Sequence, residues 1–155
     1  MKKLFTLFVA LAVVSLAAAG VGCGGGDDDE GTTTGAATAG GGKPVEIIMD
    51  DYKFTPAKAT APAGQVTITA PNEGDVEHEL EILKTDQDPA SFPVSGETVD
   101  VEALEEKGAE EIVELFAEPG ESDEATVDLE PGTYAMLCNL PGHYQKGMYG
   151  TLTAK

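Results

Sequence analysis

Three residues that can bind a soft metal are evenly spaced in one short segment near the C-terminus. They are Cys138, His143 and Met148, each five residues after the previous one, in CNLPGHYQKGMYG. The chain of 155 residues has only two His and two Cys, so this segment holds half of each. A thiolate, an imidazole and a thioether together select copper over magnesium or calcium.

A fourth candidate ligand, His78, lies far from this loop in sequence. A blue-copper electron-transfer site needs two His and one Cys in a plane, with a Met as a weak axial ligand. His78, in PNEGDVEHEL, is the only other His that the chain contains. Taken singly, the loop residues have ordinary explanations, because Cys138 could be a small buried hydrophobe, Met148 core filler and His143 a surface residue. The combination favours the metal site.

The pattern from Pro44 onward predicts an all-β domain. Apolar residues alternate with Thr over Val66–Ala70, and a similar alternation covers Ala125–Leu129. Seven to eight short strands predict a Greek-key antiparallel β-sandwich, in which Tyr134 pins a corner rather than relays electrons. The other predicted strands are Glu46–Met49, Glu79–Leu83, Glu111–Phe116, Tyr134–Leu137 and Thr151–Ala154.

One connection, Lys84–Gly108, is long for a β-protein. It contains a predicted short helix over Asp100–Lys107, which Asp100 can cap at its start and Gly108 can end. Two interpretations stay open for this insertion, a lid or docking surface on the one hand and a plain surface insertion on the other.

The first 42 residues do not have a domain-like pattern. Residues 1–22 predict a secretory signal peptide, because two Lys precede an apolar run of about 16 residues that is too short for a confident membrane span. Cys23 resembles the lipidated Cys of the bacterial lipoprotein cleavage box, although Gly20 stands where that box prefers Leu. Lipidation would anchor the chain at the outer face of the cytoplasmic membrane, whereas cleavage near Ala19 would leave a soluble secreted or periplasmic protein.

The stretch 23–42 predicts a disordered tether between this anchor and a single domain over 43–155. It is rich in Gly, Asp and Thr and has no large apolar residue after Cys23 that could offset the entropy of ordering. With Cys23 lipidated, Cys138 has no disulfide partner. A lone thiol in an oxidising compartment then needs burial or a metal.

The charge is strongly acidic. After cleavage before Cys23 the chain keeps 7 Lys, no Arg and 28 acidic residues, a net charge of −21. This excludes nucleic acid as a partner, since phosphate contacts need clustered cations. The negative charge favours basic partners through electrostatic steering, although a need for solubility explains it equally well. It also argues for a monomer.

Two segments resemble the cupredoxins, the small blue copper proteins. Their C-terminal ligand motif is similar to YAMLCNLPGHYQKGMYGTLTA, and their N-terminal half is similar to DYKFTPAKATAPAGQVTITAPNEGDVEHEL. The resemblance covers roughly residues 45–155, and the spacing within the ligand loop is closer to rusticyanin- and sulfocyanin-like loops than to plastocyanins. It implies one type 1 copper per chain, whose ligands are His78, Cys138, His143 and Met148.

The resemblance also implies a one-electron carrier rather than an enzyme. His143 would reach the surface as the electron exit, inside an apolar patch suited to brief docking of a cytochrome or an oxidase-type protein. The alternative function is copper trafficking or buffering. Multicopper oxidases need many more His, and a binuclear copper-A centre needs two Cys in its loop. The patch would consist of Leu140, Pro141, Gly142, Tyr144 and Tyr149.

One residue departs from the cupredoxin pattern. Azurins and plastocyanins have Asn directly after the first His ligand, where its amide ties the two ligand loops together, and this chain has Glu79. A carboxylate there would favour Cu(II) and lower the reduction potential, or it would simply face solvent.

Overall fold

The computed structural model describes residues 44–155 of the chain. The predicted signal peptide (1–22), the lipidation site Cys23 and the linker (23–42) lie outside the described residues. Within the described part, no helix is long and apolar enough to cross a membrane. One α-helix, α1, spans Val101–Glu105. The strands are β1 (Val45–Glu46), β2 (Ile48–Asp50), β3 (Lys53–Thr55), β4 (Lys58–Ala61), β5 (Gly64–Pro71), β6 (His78–Lys84), β7 (Val94–Ser95), β8 (Thr98–Val99), β9 (Glu110–Ala117), β10 (Ser122–Leu129), β11 (Gly132–Leu137) and β12 (Tyr149–Ala154).

The strands form a sandwich, which confirms the all-β prediction. A three-stranded sheet has the order β1-β5-β10, and a five-stranded sheet has the order β4-β12-β11-β6-β9. The pairs β2-β3 and β7-β8 are short hairpins outside these sheets. The described part has more strands than predicted because five of them are only two or three residues long, too short for a periodic signal. Two pairings, β1 with β5 and β12 with β4, are parallel.

The main core lies between the two sheets. Alternate residues of β5 point into it, because side chains of a strand face opposite sides in turn. Val66, Ile68 and Ala70 are buried there with Leu80 and Ile82 of β6. Fully burying each large aliphatic side chain contributes about 1.5–3 kcal/mol.

The insertion between β6 and β9 packs as an additional layer on the outer face of the five-stranded sheet. Leu83 and Leu137 point to that face, and Phe92, Val99 and Leu104 of the insertion cover them in a second buried cluster. Both faces of β6 are therefore buried over His78–Leu83.

The predicted helix in this insertion is confirmed, although it is shorter than Asp100–Lys107. The Asp100 carboxylate accepts a hydrogen bond from the Ala103 N–H at 3.1 Å and so caps α1. Gly108 lies beyond the helix with φ of +90°, a conformation that suits glycine.

Tyr134 forms the predicted corner. Its ring is buried, and its hydroxyl donates a hydrogen bond to the Glu130 carbonyl oxygen at 2.8 Å. This local bond fixes the turn between β10 and β11, which leads the chain into Cys138.

Candidate metal centre

Two hydrogen-bonded strands place the first ligands side by side. His78 is the first residue of β6, and Cys138 directly follows β11. These strands run antiparallel, with Leu137 opposite Glu81, so the start of one lies beside the end of the other. The His–Cys separation of 60 residues in sequence therefore disappears in space.

Three of the four predicted ligands converge on one point. The ligand atoms of His78, Cys138 and His143 all lie within 4.8 Å of one another. The His143 Nδ1 is 3.3 Å from the His78 Nδ1 and 3.3 Å from the Cys138 Sγ. Two imidazole nitrogens and one sulfur facing a common point are the equatorial donor set of a blue-copper site.

Met148 is fully buried in the same core cluster as Cys138. The loop between them closes on itself, because the Cys138 N–H donates to the Met148 carbonyl oxygen at 3.1 Å. The Met148 N–H in turn donates to the His143 carbonyl oxygen at 3.2 Å. These bonds bring the Met148 backbone beside Cys138 and His143.

The protonation states of Cys138 and His143 affect metal binding in different ways. Burial raises the pKa of the Cys138 thiol to about 11, so without a metal the sulfur keeps its proton at neutral pH. Burial, followed by the charge of the neighbouring His78, lowers the pKa of His143 and so favours the neutral imidazole that binds metal. A bound cation reverses the balance at the thiol and releases its proton.

Glu79 replaces the expected Asn in function as well as in position. Its Oε2 accepts a hydrogen bond from the Asn139 N–H at 3.0 Å. Glu79 follows His78 and Asn139 follows Cys138, so this bond joins the two ligand segments. Glu79 is buried, and the alternative that it faces solvent is wrong. Burial, then a hydrogen bond with Glu114 and the charge of Glu81, raises the pKa of Glu79 to about 8.

The insertion holds the ligand loop from outside. The Val99 N–H donates to the Asn139 Oδ1 at 2.6 Å, and the Gly142 N–H donates to the Glu97 carbonyl oxygen at 2.8 Å. The insertion is therefore more than a surface excursion, since its backbone bonds flank the segment between Cys138 and His143.

The predicted surface patch is wrong in one member, Tyr144. Its side chain is buried in the second cluster, under the insertion, because its hydroxyl finds hydrogen-bond partners there. Tyr149 is half-buried against the same cluster, with its ring 5.3 Å from that of Tyr144. Pro141 is exposed, and Leu140 and Gly142 are half-buried, as is His143 within the patch.

The turn between β2 and β3 contributes residues that the sequence analysis missed. The Asp51 Oδ1 is 3.3 Å from the His78 Nε2, and hydrogen bonds from Asp75 and from His78 hold the pKa of Asp51 below its usual value. The edge-on ring of Tyr52 lies 5.0 Å from the His143 ring, and the Lys146 Nζ lies 3.7 Å from the Tyr52 ring centre. The only available signal was the turn-forming pair of Asp residues ahead of Tyr52.

The comparison with known families agrees with this donor set. Residues 44–155 match the profile of copper binding proteins of the plastocyanin/azurin family. The chain belongs to this family. Its cofactor is copper, and the residues in place to hold it are His78, Cys138 and His143.

Solved cupredoxins and one curated copper protein are similar to this member of the family. A reduced auracyanin from Roseiflexus castenholzii is 25% identical with a TM-score of 0.54, covering 72% of this chain and 96% of that one. Auracyanin A, a blue copper protein from Chloroflexus aurantiacus, is 25% identical with a TM-score of 0.52, covering 73% of this chain and 100% of that one. The copper-resistant cuproprotein CopI of Pseudomonas aeruginosa is 27% identical in an alignment 136 positions long, which covers 72% of this chain and 75% of CopI.

Proposed function

We propose that the chain is a type 1 copper protein that carries single electrons between redox proteins outside the cytoplasmic membrane. The observation that carries this proposal is the convergence of two imidazoles and one Cys sulfur, whose ligand atoms lie within 4.8 Å of one another. Met148, buried in the same cluster, would supply its thioether as a further, weaker ligand. The similarity to auracyanin A, itself a blue copper protein, supports the same assignment.

Copper would supply the Cu(II)/Cu(I) couple, and the protein would keep its surroundings nearly constant between the two states. Cys138 and Met148 are fully buried, so water is kept from the sulfur ligands. Ligand movement is limited because His78 and Cys138 lie at strand ends. The hydrogen bond between Glu79 and Asn139 limits it further. A small rearrangement on electron transfer follows from such a fixed donor set.

His143 is the proposed electron exit. Its ring is half-buried, in contrast to the fully buried His78. Exposed Pro141 and half-buried Leu140 lie in the same loop and offer a small apolar surface for brief contact with a redox protein. We take the protein not to be an enzyme, since the two His of the chain are both used by one copper.

The N-terminal sequence supports a location of the carrier at a membrane. We propose that Cys23 is lipidated and that the following Gly-, Asp- and Thr-rich segment lets a monomeric domain reach partners beside the outer face of the membrane. Metabolic labelling with a radioactive fatty acid tests the anchor, with Cys23→Ser as the control. Equal labelling of the two proteins would contradict lipidation at this residue.

Copper trafficking is the second candidate function, favoured by the similarity to a copper-resistant cuproprotein. The two functions differ in the fate of the copper. A carrier keeps its metal while the electron leaves, whereas a trafficking protein gives up the metal as cargo.

The deciding experiment cycles the copper-loaded protein between a mild reductant and a mild oxidant while a strong Cu(I) chelator is present. The carrier proposal predicts that the protein is reduced and reoxidised repeatedly with its copper retained. Trafficking would be favoured if the protein lost its copper to the chelator after the first reduction, before it passed its electron to the oxidant.

A further inference from the structure

The His78 ring is held from both sides. Its Nδ1 faces the ligand cluster, 3.3 Å from the His143 Nδ1, and its Nε2 faces the Asp51 Oδ1 at 3.3 Å. An ionised carboxylate can only accept hydrogen bonds, so the Nε2 must carry the proton. This tautomer leaves the lone pair of Nδ1 directed to the metal site.

The Asp51 carboxylate is itself fixed. The Asp75 N–H donates to the same Oδ1 at 3.0 Å, so the oxygen is held between a backbone amide and the imidazole. Asp51 lies on the tight turn between β2 and β3, next to Tyr52, whose φ is +63°. A carboxylate with two directional contacts on one oxygen has little freedom to leave the ring.

A second observation is independent of these bonds. A Cβ atom added to Gly74 would lie 2.5 Å from the Asp51 Oδ1 and 2.8 Å from the His78 Nε2. The carboxylate and the ring can therefore approach each other only because residue 74 has no side chain. Gly74 is held there by its N–H, which donates to the Asn72 Oδ1 at 2.9 Å.

We propose that Asp51 is a positioning residue of the copper centre, which fixes the tautomer of His78 and stabilises Cu(II) relative to Cu(I) through that imidazole. A carboxylate bonded to the outer nitrogen of a ligand His orients the ring and raises its basicity. A more basic ligand with a negative charge behind it favours the more highly charged metal. The inference on the tautomer rests on copper binding alone, and the inference on Cu(II) also rests on the proposed redox function.

The first test separates the local effect from the loss of a charge. Asp51→Asn removes the charge but keeps an oxygen that can accept from Nε2. Asp50→Asn is the matched control, because Asp50 is the adjacent residue and its carboxylate pairs with the exposed Lys53 at 2.6 Å rather than with a ligand. The reduction potential of the copper-loaded full chain in detergent is measured for both.

The expected result is a higher potential for Asp51→Asn, by about a tenfold change in the redox equilibrium constant, or about 59 mV for one electron. The control should shift by a small fraction of that. Equal shifts in both variants would mean that only net charge matters, and no shift in either would mean that Asp51 has no influence on copper. Either result would overturn the proposal that Asp51 stabilises Cu(II) relative to Cu(I).

The second test needs no redox activity. The imidazole nitrogen signals of His78 in the metal-free chain should show the Nε2–H tautomer in the wild type and in Asp51→Asn. Asp51→Ala should give a mixture of tautomers and about a 10–100-fold loss of copper affinity. An unchanged tautomer in Asp51→Ala would overturn the positioning role, even if the protein proved not to carry electrons.

Discussion

The Tyr144 hydroxyl donates a hydrogen bond to the Pro89 carbonyl oxygen at 2.6 Å. The same oxygen atom of Tyr144 accepts from the Phe92 N–H at 3.0 Å. The first residue after His143 is thus bonded to the insertion, and the Phe92 ring stacks 6.3 Å from the Tyr144 ring. The insertion and the ligand loop form one packed unit.

Tyr144→Phe should therefore destabilise the protein. The change leaves the Pro89 carbonyl and the Phe92 N–H without their partner, and each unsatisfied buried group costs about 1–3 kcal/mol. The free energy of unfolding from urea titration should fall by about 2–6 kcal/mol, the sum for the two groups. Tyr149→Phe is the control, since its ring is in the same cluster and no hydrogen bond of its hydroxyl is seen within residues 44–155. An equal loss in both variants would contradict the role of the hydroxyl.

Glu79 should make the reduction potential depend on pH. Below pH about 8 its buried carboxyl group is mainly protonated and adds no charge beside the copper. As the pH rises through that value the carboxylate forms, stabilises Cu(II), and the potential should fall. Voltammetry of the wild type and Glu79→Gln tests this, because Gln keeps an acceptor for Asn139 but cannot ionise. A decline of the same size in Glu79→Gln would assign the pH dependence to another group.

The metal-free domain should lose stability with rising pH. Burial, then the charges of Glu111 and Glu114, raises the pKa of Glu81 to about 7, above the ordinary value of 4.5. Between these values the folded state holds a proton that the unfolded state releases, so each rise in pH favours unfolding. The contribution is fully present below pH 4.5 and is lost as the pH passes about 7.

Urea unfolding of metal-free protein from about pH 4 to about pH 9 measures this slope. Glu81→Gln should reduce the slope and leave the part that the buried Glu79 contributes, whereas Glu110→Gln, at an exposed position on the neighbouring strand, should leave the slope unchanged. A slope that Glu81→Gln leaves unchanged would show that this carboxyl group ionises as easily in the folded as in the unfolded protein.

Tyr52 should prefer glycine over alanine as a replacement. Its φ of +63° is unfavourable for a residue with a Cβ, and glycine adopts it without that cost. Both substitutions lose the ring contacts with His143, so their difference isolates the backbone. Tyr52→Gly should be more stable than Tyr52→Ala by about 1 kcal/mol. A more stable alanine variant would mean that the turn relaxes to another conformation.

The sequence predicted those features that depend on a residue type, or on a repeating pattern, within a few neighbouring residues. The alternation over Val66–Ala70, the cap at Asp100 and the spacing of the ligand loop each depend on a few neighbouring residues, and each predicted its element. The alternation fails in β6, because the insertion buries the outer face as well. Periodicity cannot show which distant segment will cover a strand.

The missed contacts join segments that are far apart in the chain. The family resemblance implies a surface position for Tyr144, yet its hydroxyl is bonded to Pro89, 55 residues earlier. Asp is a common residue type in turns, so Asp51 does not stand out in the sequence. Only the folded chain places it beside His78, 27 residues later. Such contacts depend on how the chain passes from one sheet to the other, and a local sequence pattern does not contain that information.

A redox-active blue site requires that Cys138 binds copper as a thiolate. The most direct measurement is the visible absorption spectrum of the protein after an equimolar addition of Cu(II), beside Cys138→Ala. We predict an intense thiolate-to-copper band that bleaches on reduction, returns on oxidation and is missing in the variant. Stoichiometric copper binding without this band, or the same band in Cys138→Ala, would show that the Cys138 thiolate is not a copper ligand of a blue site.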